Sequence, residues 1–97
     1  MEAANFPVDM RTIKLSGREA SVVRAIGFTN SMLGAEIQDY VRMESDDVTD
    51  ILNSLMAAGF VESIPYSEQI ELAEMPVMTF EINPAYSHEL KRALTRT

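Results

Sequence analysis

Apolar positions change their spacing twice along this chain, and the changes predict its elements. The densest stripe lies in residues 44–62, ESDDVTDILNSLMAAGFVE, where Val48, Ile51, Leu52, Leu55 and Met56 recur at the three- and four-residue spacing of one helix face. Ser45 is expected to cap this helix, with Asp46 and Asp47 set against the positive end of its dipole. Gly59 is the expected left-handed stop, and Phe60-Val61 begins an extended segment. The opposite face carries Asp46, Asp50, Asn53 and Ala57, so one side reads as core and the other as small, polar and acidic.

Upstream, Ser16-Gly17-Arg18-Glu19 fits a capping box and predicts a first helix that buries Ala20, Val22, Val23 and Ile26 and stops at Gly27. Residues 28–33 read as a connector, with turn formers Thr29, Asn30 and Ser31 and room for a very short strand. Residues 34–42 read as a second helix with Ile37, Tyr40 and Val41 inward and Glu36, Gln38 and Asp39 outward. Beyond the third helix the period falls from about 3.6 to about 2. Residues 60–66 alternate as a strand ended or bent by Pro65, and residues 77–82 return with Met78, Phe80 and Ile82 on one face. Between them, the acidic stretch 67–74 interleaves only Ile70 and Leu72 and reads as a hairpin tip that adds little to the core. Asn83-Pro84 is a cap followed by proline at the first helical position, opening a last helix over 85–94 with Tyr86, Leu90, Ala93 and Leu94 inward. Residues 1–9 read as a frayed lead-in and 10–15 as a short strand or extended arm. The expected core is Val23, Ile26, Ile37, Val41, Ile51, Leu52, Leu55, Phe60 and Phe80.

At 97 residues this is one domain with a single core. The absence of cysteine removes disulfides, thiolate nucleophiles and Cys-based metal sites. The start carries no basic and apolar leader pattern and no run approaches membrane-spanning length, so a cytoplasmic protein with no membrane contact is expected. Charge changes the picture more. The net charge is −7, and no Lys or Arg occurs between positions 43 and 89, where Glu44, Asp46, Asp47, Asp50, Glu62, Glu68, Glu71, Glu74, Glu81 and Glu89 all fall. A charge run is most often a solvated face. Even so, a surface this negative repels phosphate backbones and favours basic or neutral partners.

Catalytic constellations do not emerge. His88 is the sole histidine and lies on a helix expected to be largely solvated, with no Cys or activated Lys to serve. Asp46-Asp47-x-x-Asp50 lacks the glycine and the glutamate spacing of a calcium loop, so complementing the helix dipole accounts for it better than metal binding. Gly17, Gly27, Gly34 and Gly59 read as scattered punctuation rather than a phosphate-cradling loop. A non-enzyme without metal or cofactor is expected.

Taken together, the elements run helix, helix, tight turn, helix, long hairpin, helix. With Gly34-Ala35-Glu36-Ile37 opening the second helix, Val48-x-x-Ile51-Leu52-x-x-Leu55 in the third and Ala58-Gly59-Phe60-Val61-Glu62 turning it into a strand, residues 16–94 resemble a winged helix-turn-helix domain. The resemblance implies a mainly α fold with a small antiparallel β-hairpin (an α+β class): a three-helix core, a wing and a C-terminal helix, with residues 1–15 as an arm and 16–97 as the domain. It also implies a third helix that enters the major groove and a wing that touches phosphates. The charges run against that use. DNA affinity comes largely from cations that displace counterions, whereas this helix offers Asp46, Asp47 and Asp50 and the wing offers Glu68, Glu71 and Glu74.

The expected function is therefore a non-catalytic interaction or regulatory module. Its acidic helix-and-wing face (Asp46, Asp47, Asp50, Asn53, Glu68, Glu71 and Glu74) would contact a protein partner, basic by complementarity, or a second copy of the chain. The alternative is a DNA-binding transcriptional regulator whose dimer gathers Arg11, Lys14, Arg18, Arg24 and Arg42 from outside the third helix. For a homodimer, the stripe Tyr86, Leu90 and Leu94 on the last helix is the candidate seam; the same stripe could equally cover its own core.

Overall fold

The computed structural model describes residues 13–95. Local signals place the first helix, α1 (Gly17–Ile26). Ser16 Oγ accepts from the Glu19 N–H at 3.1 Å and Glu19 Oε1 accepts from the Ser16 N–H at 2.9 Å, closing the expected capping box. Ala20, Val22, Val23, Ala25 and Ile26 go inward. The core begins before this helix, because Ile13 is already buried and Leu15 packs against it. Ile13 to Leu15 is irregular rather than a strand, and the rest of the expected arm lies outside the described residues.

A three-residue strand, β1 (Ser31–Leu33), leads into α2 (Gly34–Val41) and then α3 (Ser45–Ala57). The expected Ser45 cap does not form. Glu44 occupies the capping position without a side-chain bond, and Ser45 is already helical. Its hydroxyl instead accepts from Gln38 Nε2 at 3.0 Å, and the same amide group reaches the Met43 carbonyl at 3.3 Å, so Gln38 ties α2 to α3 across the tight turn. Tyr40 was expected inward and is 64% exposed. The buried stripe of α2 runs through Gly34, Ile37 and half-buried Val41, and Tyr40 falls roughly a quarter-turn to its side. At the end of α3, Gly59 takes a positive φ of 85°. The Gly59 N–H then donates to the Met56 carbonyl and the Phe60 N–H to that of Leu55, the paired bonds of a Schellman stop.

Two further strands, β2 (Val61–Ile64) and β3 (Thr79–Ile82), complete an antiparallel sheet in the order β1-β3-β2. The sheet is larger than a hairpin, because β1 joins it through Met32 opposite Phe80. Both hairpin strands are shorter than expected. Pro65 follows β2 through a cis peptide bond, and a 3-10 turn at Met75–Val77, with Pro76 early in it, replaces the start of the return. A second such turn, Pro84–Tyr86, is capped by Asn83 Oδ1 and opens α4 (Ser87–Thr95). Among the described residues the architecture is α+β, four helices with one three-stranded antiparallel sheet.

Val23, Ile26, Ile37, Leu52, Leu55 and Phe80 are buried as expected, with Val41, Ile51 and Phe60 half-buried at the margin. The expectation that 67–74 adds little to the core is overturned: Ile70 is 2% exposed, and Met75 just beyond it is fully buried. Gly34 makes this possible. Its N–H donates to the Met78 carbonyl at 2.8 Å, and a Cβ at this position would collide with the Met75 backbone carbonyl. Among the described residues, no helix is long and apolar enough to cross a membrane.

Candidate functional site

The outward face of α3 is where sequence places the acidic candidates, and the fold separates them. Asp47 turns toward α1 and pairs with Arg18 Nη2 at 3.2 Å. Both side chains are well exposed, so the pair contributes at most about 1 kcal/mol. Asn53 is not free for a partner. Its Nδ2 donates to the Ile70 carbonyl at 3.0 Å and its Oδ1 accepts from the Ile70 N–H at 2.8 Å. The carboxamide thus satisfies both backbone groups of one residue in an otherwise irregular segment, which leaves the Ile70 side chain pointed into the core.

Held in this way, residues 69–72 lie along α3. A shallow cleft of about 310 Å³ remains, lined by Asp46, Thr49, Asp50, Asn53, Gln69, Ile70, Glu71 and Leu72. Asp46, Asp50, Asn53 and Glu71 are therefore brought together. Glu74 is not in this group: its Oε1 accepts from the Glu71 N–H at 2.8 Å, and the Glu74 and Met75 N–H groups return to the Glu71 carbonyl, making a closed turn. Glu68 lies elsewhere, in a second cleft of about 500 Å³ with Met56, Glu62, Tyr66 and Asn83 among its walls. Among the described residues, no group of three His, Cys, Asp or Glu side chains is gathered so as to hold a metal ion.

On α4 the candidate self-association stripe is mostly spent. Leu90 is fully buried within the chain's own core and so is not offered to a second copy. Tyr86 stands edge-on to Phe60 with ring centroids 5.2 Å apart, and half-buried Leu94 receives Arg24 Nη2 on its carbonyl at 3.1 Å. Lys91 Nζ sits 5.2 Å above the Phe28 ring, a second tie between this helix and the end of α1. His88 is exposed.

A surface that sequence reasoning passed over is the outer face of the sheet. The inner face takes Val61, Ser63, Phe80 and Ile82. The alternate positions form two rows across the strands: Ser31, Glu81 and Glu62, then Leu33, Thr79 and Ile64. The alternation of Glu62 with Ile64 and of Thr79 with Glu81 was visible in the sequence, but the register that aligns them was not. No family model, no curated protein and no solved structure matches this chain.

Proposed function

We propose that this chain is a non-catalytic winged-helix module that contacts a protein partner rather than reading DNA. Support for the winged-helix assignment is the order helix, strand, helix, helix, hairpin, helix, with β1 paired to the returning strand of the hairpin. The observation that carries the functional reading is the clamp of Asn53 on Ile70. It lays residues 69–72 along the helix that would enter a major groove and puts Glu71 beside Asp46 and Asp50. A duplex would meet a partly covered helix and carboxylates, with no counterion release to offset the repulsion.

The DNA-regulator alternative needs cations from the other helices. Arg18 is engaged with Asp47 and Arg24 with the Leu94 carbonyl, which weakens that supply. Anisotropy titration with mixed-sequence duplexes at low salt tests the choice. The expected result is no saturable binding at low micromolar protein, with weak binding emerging once Asp46, Asp47 and Asp50 are changed to Asn. Tight wild-type binding that falls with salt as steeply as about six phosphate contacts require would carry the regulator reading instead.

A further inference from the structure

Glu62 and Glu81 are direct cross-strand partners on the outer face of the sheet. Side chains opposite each other in an antiparallel pair have Cβ atoms about 5 Å apart, and like charges there destabilise the pairing. Neither carboxylate has a cationic partner among the described residues. The next row on the same face sets Leu33 and Ile64 on either side of Thr79, and both are open to solvent, at 38% and 44% exposure. Among the described residues the helices do not cover this face: α1 packs on β3 and α3 on β2 from the core side, where Phe80 and Val61 are buried.

We propose that the outer sheet face docks a basic, partly apolar segment of a partner protein, with an arginine of that segment seated between Glu62 and Glu81. The chemistry selects this occupant. A planar guanidinium can donate to two carboxylates at once, and binding removes the repulsion that the free sheet carries. The aliphatic stem of the arginine and its apolar neighbours then cover Leu33 and Ile64, which lie about 10 Å apart across three strands. An anionic ligand such as nucleic acid would add a third negative charge to the pair. The proposal rests on the protein-contact reading above, yet it uses a different face from α3.

The test is anisotropy titration of a fluorescein-labelled peptide that alternates arginine and leucine, against three variants of the full chain. Glu62→Gln with Glu81→Gln should weaken binding about tenfold or more, as loss of a charge-assisted contact does. Asp39→Asn with Glu44→Gln removes the same charge from α2 and the turn into α3, where both are exposed, and should leave affinity within about twofold. Ile64→Ser should weaken binding several-fold without changing charge. Glu81→Gln alone should raise the melting temperature of the free protein, so that binding falls as stability rises, which a purely structural role for Glu81 would not produce. No saturable binding of the peptide, or equal weakening by the two double variants, overturns the proposal. The duplex titration is read separately, so failure here leaves the choice between protein and DNA contact standing.

Discussion

From Ser16 to Ala58 this molecule buries its side chains by period, whereas from Pro65 to Met78 it does so by single anchors. In α1 and α3 each buried residue is placed by its helix: Val22, Val23 and Ile26, or Val48, Leu52 and Leu55, follow from turn spacing once the ends are set. The connection between β2 and β3 has almost no regular structure, yet it delivers Ile70 and Met75 to the same core. One carboxamide on α3 and one missing Cβ on α2 do the positioning. An acidic, aperiodic stretch can therefore be as much a part of the core as a helix, provided that its backbone groups are satisfied from outside.

The largest effects should test that equivalence. Leu55→Ala and Ile70→Ala should each lower stability by about 2–5 kcal/mol in denaturant unfolding. A melting temperature within a couple of degrees of wild type for Ile70→Ala would show that the connection is only an appendage. Gly34→Ala comes next, at about 3 kcal/mol, because the new methyl meets the Met75 backbone rather than a side chain that can swing away. Its signature is loss of the connection's order along with global stability, read by proteolysis after Glu68 or Glu71.

Asn53→Ala should cost about 2 kcal/mol, since it strands the Ile70 N–H and carbonyl. Hydrogen exchange at the Ile70 amide should accelerate well before α3 amides do; unchanged protection would mean that another group holds the segment. Arg18→Ala should change stability by less than about 1 kcal/mol and lose even that at high salt, because its pair with Asp47 is exposed. A larger, salt-independent loss would show that α1 and α3 depend on this bridge as the connection depends on Asn53.

The same contrast explains what the sequence discloses. The helices, the Gly59 stop and the Asn83-Pro84 start were legible because each signal sits within a turn of what it controls. Ser45 misled because its donor, Gln38, comes from the preceding helix, and Tyr40 because two turns of α2 are too short to define the centre of a stripe. Gly34 read as punctuation, although its role is a close approach to Met75, and Asn53 read as a contact residue, although it serves Ile70 seventeen positions away. The acidic candidates are exposed or half-buried, but which of them share a cleft depends on where the connection folds. Likewise, Glu62 opposite Glu81 requires the register of β3, which only the assembled sheet supplies.

The strand at the centre of that sheet is the last one in the chain. During synthesis, β1 and β2 both precede the strand that, among the described residues, pairs with each of them. Until β3 emerges, Met32 and Val61 lack the facing Phe80 and Ile82, and two strand edges stand without hydrogen-bond partners. The nascent molecule thus holds two strands of an unsealed sheet. Any interruption of the chain ahead of Thr79 leaves a species with two open edges, the kind of surface that recruits chaperones or pairs with other unfinished chains.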